Sequence, residues 1–514
     1  MSLLTLLVLI ATTILVARFY IQYAYGYWKR KGVPFIKPTF PFGAFAKAFL
    51  QKISIDDQIK EVYNSSTEPF VGVYSLLTPV LVIRDPELIR AILIKDFSSF
   101  PSRGWYVNED VDPMAHNMLV QNGDAWKNSR TKLSPAFTTG RLKAMFNTII
   151  KCGNSLECLI DDYAKSGDVL EIREVFARFA TNVIASVSFG IDIDCIRHPD
   201  SEFRQYGKQF FEPTIRNALR NTGSFFAPSL ARLLRSRFVD KDVGDFMIDT
   251  VKKNLEFREQ NNIIQKDFFQ LLMQLRNTGK VKDDNDDWST NATTSGEKLM
   301  SINEIAAQCH VFIVAGYESN STTMSFCMYE LAKAQDIQQK AYEEIVEVLE
   351  KHDGQLTYDA LADMKYMEYC IEETLRMHTP FGFFTRRCVN DYRIPDTNVV
   401  IEKGTQVMIS VDGIQYDPKY YEDPLEFRPE RFSDEKVSFA ERPFLSFGDG
   451  PRYCIGMRFA KLQTKLGIVL LLKKYKFELN PEYHKKQELE MNSRGLAKLP
   501  TYGINLNVSF REQL

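Results

Sequence analysis

The densest chemistry in the chain lies in Phe447-Gly448-Asp449-Gly450-Pro451-Arg452-Tyr453-Cys454-Ile455-Gly456. Three glycines around one cysteine imply a tight turn and a close backbone approach to something flat or bulky. Cys454 precedes an evident helix, whose N-terminal dipole and free N–H groups favour a thiolate. Arg452 falls on the same side of an extended chain as Cys454, and its guanidinium forks onto carboxylates. A thiolate with a carboxylate clamp beside a flat ligand describes haem held by sulfur. A glycine-rich turn around a buried cysteine would not require the arginine.

Three further groups are weak alone. Glu373-Thr374-Leu375-Arg376 is an i,i+3 ion pair of the kind common on solvated helix faces. Trp126-Lys127-Asn128-Ser129-Arg130 reads as an amphipathic surface helix. Ala315-Gly316-Tyr317-Glu318-Ser319 places a carboxylate in an otherwise apolar helix, which needs a reason.

Together these stretches, in this order, resemble the cytochrome P450 family. Phe447 to Gly456 meets every fixed position of its haem-binding pattern, Phe-Gly-x-Gly-x-Arg-x-Cys-x-Gly, and Phe427-Arg428-Pro429-Glu430-Arg431-Phe432 follows the Glu-x-x-Arg at the right separation. The resemblance runs from about residue 34 and looks nearest to the animal microsomal drug-metabolising group and its nematode relatives. It implies a mainly α fold with a small β-rich part, and haem b between the long central helix and the cysteine loop. It implies Cys454 as the axial ligand of the iron, with Phe447 beside it. Arg452, Trp126, Arg130 and Arg386 would reach the haem propionates, Arg387 being the alternative to Arg386. Glu373, Arg376 and Arg431 would form a buried charge network that fails if one member is lost. Ala315 and Gly316 would leave room for dioxygen, and Glu318 and Ser319 would relay the two protons its cleavage needs.

The chain departs from the pattern twice. Ser319 stands where relatives usually carry Thr, keeping the hydroxyl without the methyl that fixes its rotamer. Gln415-Tyr416 stands where relatives often have His-Arg, and the sequence alone gives no account of it. The implied function is NADPH- and O2-dependent monooxygenation of a lipophilic small molecule. The alternative is a haem-thiolate peroxide isomerase needing neither O2 nor a reductase, and a proton relay at Glu318 and Ser319 argues against it. A haem carrier would need a protein side chain at the sixth iron position, and no His or Met is placed there convincingly. No flavin or dinucleotide motif is present, so electrons come from outside, from an NADPH–cytochrome reductase. Arg458, Lys461 and Lys465, with Lys127 and Arg130, would offer it a basic face. Substrate would meet Phe312 and Ile313, Phe381 to Phe384, and Trp105 to Val107.

The elements that must position these groups are legible at several points. The 514 residues carry 64 basic and 66 acidic side chains, 45% hydrophobic and 25% charged residues, as a large folded protein does and a nucleic-acid binder does not. Eight cysteines and six histidines are scattered without metal-site spacing. Ser301-Ile302-Asn303-Glu304 has the form of a capping box opening a helix of about 30 residues, roughly 45 Å long. A last helix is expected over 456–474, and a hairpin over 70–83 split at Thr78-Pro79. Residues 277–298 read as a solvated, flexible loop inside one domain, 42–514.

Residues 1–28 are mostly apolar and aromatic and carry no charged side chain apart from Arg18, and Lys29, Arg30 and Lys31 follow. This charge order reads as a retained signal-anchor with Trp28 and its neighbouring tyrosines at the headgroups. The body then lies on the cytosolic side of the endoplasmic reticulum membrane. Residues 29–41, with Pro34, Pro38 and Pro41, read as a stiff hinge. Phe225, Phe226, Leu230, Leu233 and Leu234, interleaved with arginines, form a second stretch suited to a membrane surface.

Overall fold

The capping box does open the longest helix of the body. The amide of Glu304 donates to Ser301 Oγ (3.2 Å) and the amide of Ser301 donates back to Glu304 Oε2 (2.8 Å), starting the helix Ile302–Lys333. It is buried through most of its length because other helices wrap it, including Ile172–Ile184, Lys241–Gln260, Lys365–Met377 and Met457–Leu472. In this computed structural model, residues 3–282, 287–290, 299–484 and 489–511 are described. The closest of these packings is with Ile172–Ile184, at Gly316. A Cβ there would lie 2.4 Å from Ile184 Cδ1, so a larger residue would have to displace the Ile184 side chain.

The β-rich part is a four-stranded sheet in the order Phe70–Ser75, Thr78–Ile83, Gln406–Ser410, Phe383–Arg387. The first two strands form the expected hairpin, but its turn is Leu76-Leu77, with Leu76 at φ 53°, rather than Thr78-Pro79. Pro79 is the second residue of the second strand, one before its ladder with Gln406–Ser410 begins at Val80, so its missing N–H breaks no bond there. The last of these strands, Phe383–Arg387, carries Phe383 and Arg386 to the cavity described below.

The amino-terminal helix Leu3–Tyr25 buries none of its residues and is long and apolar enough to cross a membrane. The chain breaks at Gly26 and resumes as Tyr27–Arg30. Trp28 is not at a headgroup position: its indole N–H donates to Val73 O (2.8 Å) and its ring fills the space a side chain at Gly72 would take. Part of the stretch 29–41, expected as a stiff hinge, is bonded to the sheet. Gly72 N donates to Pro34 O (2.7 Å) and Ile36 N to Gly72 O (3.0 Å), so this stretch covers the open edge of the sheet. Tyr27 bonds to Glu402 (2.8 Å) and Lys31 pairs with the same carboxylate.

The acidic loop also differs from expectation where it is described. Trp288 is buried, its backbone oxygen accepts from Gln270 Nε2 (3.0 Å), and the Arg141 guanidinium lies 4.3 Å from its ring centre. An indole is too large an apolar group to leave in water beside a vacant core surface. The expected flexibility of 283–286 and 291–298 concerns residues outside those described. The second membrane-suited stretch divides: Phe225 and Phe226 pack inward against Trp105, Phe45 and Phe383, while Leu230, Leu233 and Leu234 are exposed.

Candidate active site

One cavity lies between the central helix and the loop 447–456, and Cys454 opens into it. The turn holding Cys454 is fixed by local geometry. Gly448 and Gly450 take φ +71° and +68°, and a Cβ on Gly450 would fall 1.9 Å from Leu93 O. Cys454 N donates to Phe447 O (2.8 Å), closing the loop immediately before the helix Met457–Leu472. Burial pushes the Cys454 thiol up, while the Gly456 N–H, Arg130 and Arg103 pull it down. A bound metal cation would reverse that balance in favour of thiolate.

Four guanidinium groups line the same cavity: Arg103, Arg130, Arg386 and Arg452. Arg452 donates to Pro101 O (3.0 Å) and Gln121 O (2.9 Å) and lies over Trp126, 4.1 Å from the ring centre. Arg386 donates to Thr385 O (2.8 Å), and Arg130 to Tyr453 O (2.9 Å). Arg103 Nε, Arg386 Nε and Arg452 Nη1 are buried with no hydrogen-bond partner among the described residues. Burial, and then the neighbouring arginines, push Arg452 down to about 8. Burial and Arg103 push Arg386 down to about 9. For Arg103, at about 10, burial is again the main cause, with Arg130 lowering and Cys454 raising. Among the described residues, no acidic side chain lines the cavity to answer these cations.

Unpaired buried cations on this scale are unfavourable unless an anion joins them. A flat apolar ligand with two carboxylates at one edge, set against a thiol, meets every one of these requirements, and haem is such a ligand. Of Arg386 and Arg387, the former faces the cavity and the latter bonds outward to Gly404 O (3.2 Å), which removes the ambiguity of register. Phe447, Trp126 and Ser319 also line it.

Not every expected residue is there. Glu318 is buried on the other side of the helix, paired with Arg173 and 3.4 Å from Thr322 Oγ1, and does not line the cavity. A charged carboxylate inside a helix bundle was always going to take the nearest cation, and the neighbouring helix Ile172–Ile184 supplies one. Ser319 does line the cavity, but its hydroxyl donates back to Ala315 O. Ala315 and Gly316 also line it, and Gly316 lies against the Ile184 side chain as well. Phe312, Phe381, Phe383, Phe384 and Trp105 line the cavity; Ile313, Tyr106 and Val107 do not.

The basic face behind the cysteine is mostly occupied. Lys461 pairs with Glu372 (2.6 Å) and Glu368 (3.2 Å), and Lys465 with Glu368 (3.7 Å). Arg458 and Lys127 remain exposed.

Below the loop, Glu373 and Arg376 are fully buried. Arg376 forks onto Glu373 (2.7 and 2.9 Å), and Arg431 Nε donates to Glu373 Oε1 (3.2 Å). Remaining donors of Arg376 reach Gln415 O (2.9 Å) and Glu426 O (3.3 Å). The structure also explains Gln415. Its amide donates to Leu375 O (3.3 Å) and Arg376 O (3.0 Å), and its oxygen accepts from Leu445 N (2.8 Å) and Ser446 Oγ (3.2 Å). It therefore ties the end of the helix Lys365–Met377 to the start of the cysteine loop. Sequence reasoning missed this role, as it missed Arg103. The second had no signal, because an arginine in an irregular loop is ordinary until the Ser102–Arg387 bridge brings it to the cavity.

Residues 39–506 match the family model described as Cytochrome P450. The chain is 38% identical to Probable cytochrome P450 6d5 of Drosophila melanogaster over 495 residues, covering 96% of this chain and 97% of that one. It is 39% identical to Cytochrome P450 6d1 of Musca domestica, covering 95% and 96%. Against Cytochrome P450 6k1 of Blattella germanica the figures are 36%, 97% and 96%. These relatives are insect proteins, which corrects the expectation of nearness to the drug-metabolising and nematode group.

Proposed function

This chain belongs to the cytochrome P450 family, a haem-thiolate monooxygenase with cysteine-ligated haem iron, and from that premise we propose the particulars of its site and reaction. Cys454 is the ligand to the iron. Arg103, Arg130, Arg386 and Arg452, with Trp126, hold the propionates, and Phe447 lies beside the ring. Glu373, Arg376 and Arg431 are the network that keeps the loop in place. The reaction is NADPH- and O2-dependent monooxygenation of a lipophilic small molecule, with electrons from an NADPH–cytochrome reductase. The protein is anchored in the endoplasmic reticulum membrane by residues 1–28, with its body, 42–514, in the cytosol.

When bound, the haem supplies the activation of dioxygen and insertion of one oxygen atom. The chain's own residues do the rest. The arginines neutralise the carboxylates and fix the ligand's edge. Gly448 supplies a left-handed turn, and Gly450 lets the loop approach Leu93 closely, so that the sulfur is presented. The apolar wall excludes water, and Ser319 on the central helix offers a hydroxyl to hold or pass a proton. The observation that carries this reading is the convergence of one thiol and four carboxylate-free arginines on a single cavity.

One observation favours the second reading. With Glu318 engaged by Arg173, the argument from a proton relay against a peroxide isomerase weakens. Oxygen uptake separates the two, measured in membranes with reductase and NADPH against a Cys454→Ala control. Uptake that rises with a lipophilic probe and vanishes in the control supports the monooxygenase. Intact haem and proven electron transfer without uptake refute it and leave the isomerase.

A further inference from the structure

We infer that the cavity selects uncharged substrates bearing an aromatic ring, over both aliphatic molecules of the same carbon skeleton and charged ones. The inference rests on the proposed monooxygenase reading of this cavity. Among the aromatic rings that line it are two contacting groups besides the set Phe137, Phe268, Phe312 and Phe459. In one, Phe210 meets Phe211 and Phe238 with ring centres 5.1 and 5.3 Å apart. In the other, Phe225 meets Trp105 and Phe383 at 4.9 and 6.0 Å. All six line the cavity, and within each group the rings meet at tilted or edge-on angles of 58–81°.

The polar side chains among them are already engaged with the protein. Trp105 Nε1 donates to Thr385 Oγ1 (2.8 Å), which itself donates to Arg103 O (2.7 Å). Thr323 donates to Ser319 O (2.7 Å) and Ser319 to Ala315 O. Asn320 donates to Gly316 O (3.0 Å) and Gln463 Oε1 (2.9 Å). Among the described residues, the hydroxyls of Ser188 and Tyr453 are lining hydroxyls without such a bond. A polar or charged substrate group entering here would lose its water with little in return. A cation would find no carboxylate in the lining, and an anion would have to compete for the arginines with the haem's own acids.

Burial of apolar area rewards a saturated ring as much as an aromatic one. The difference comes from edge-to-face and offset ring contacts, each worth about two- to twelvefold in affinity. Biphenyl and bicyclohexyl share a carbon skeleton and separate the two effects. The test titrates the haem-loaded full chain with each and reads binding from the change in haem absorbance. Biphenyl should bind about tenfold tighter. The ratio should fall to about twofold in a Phe238→Leu/Phe383→Leu variant, whose own haem absorbance reports that it is folded. If that variant loses its haem, the two single variants make the same comparison. Equal binding of both probes by the wild type, or a ratio unchanged in the variants, overturns the inference, as does binding of biphenylcarboxylate or aminomethylbiphenyl as tight as that of biphenyl. A wild-type chain that takes up no haem overturns the proposed function itself, and this inference with it.

Discussion

Replacing Gly450 by alanine should damage the cysteine loop far more than the same change at Gly448, two residues away. Both glycines have left-handed backbones, at φ +68° and +71°, so each alanine incurs the conformational cost of that region, about 1–2 kcal/mol. At Gly448 that is nearly all, since the nearest atom to a new Cβ is Phe384 Cζ at 3.6 Å, an ordinary contact. At Gly450 the new Cβ would lie 1.9 Å from Leu93 O and 2.8 Å from Leu93 C. An ordinary carbon–oxygen contact is about 3.3–3.6 Å, so backbone on one side or the other must move by about 1.5 Å. Leu93 is buried and its backbone cannot swing aside as a flexible side-chain tip would. Overpacking of this kind adds about 1–3 kcal/mol, giving about 2–5 in total for Gly450→Ala against about 1–2 for Gly448→Ala. Urea unfolding of each variant, followed by tryptophan fluorescence and by haem absorbance, measures the difference. If the two variants lose stability equally, within about 0.5 kcal/mol, close approach to Leu93 is not what demands glycine at 450.

Three other outcomes follow from the same geometry. Arg103→Leu should stabilise the haem-free protein, by removing an unpaired buried cation, yet weaken haem retention; unfolding midpoints with and without haem would show opposite signs. Glu373→Gln should cost about 3–5 kcal/mol, since it leaves Arg376 and Arg431 buried beside a neutral amide, and a denaturant titration showing under about 1 kcal/mol would refute the network. Asp56 is buried beside Asp412, and burial followed by that like charge raises it to about 8 against an ordinary value of 3.8. Folding therefore retains a proton between those values, so its contribution to stability declines as pH rises through that window and levels off above about 8. Asp56→Asn should flatten the dependence of the thermal midpoint on pH between 6 and about 8, and a wild-type slope retained by the variant would count against the assignment.

Much of the site was legible because its signals are local. A cysteine with an arginine two residues before it and glycines on either side must form a turn with both side chains presented together, and that spacing survives any change elsewhere. The capping box at Ser301 and Glu304 is likewise decided within one helical turn. Glu373 and Arg376 are neighbours on any helix. Even so, whether that pair is a solvated ornament or a buried lock depends on Arg431 and Gln415 arriving from far along the chain.

What the tertiary structure alone decided is where each charge found its partner. Glu318 had the position of a relay, but the helix Ile172–Ile184 brings Arg173 beside it and holds it away from the cavity. Lys461 and Lys465 had the spacing of a docking face until Glu368 and Glu372 of the adjoining helix engaged them. Gly316 lines the cavity and also lies against Ile184, and the ring of Trp28 fills the space beside Gly72. Arg103 gave no signal and stands among the cavity's four arginines. Residue type and short spacing settle what a side chain is able to do and which close neighbours it can reach. Packing between distant segments settles which surface it faces and which opposite charge, donor or void it meets there, because those interactions fall off within a few ångströms and connect residues that the chain itself keeps far apart.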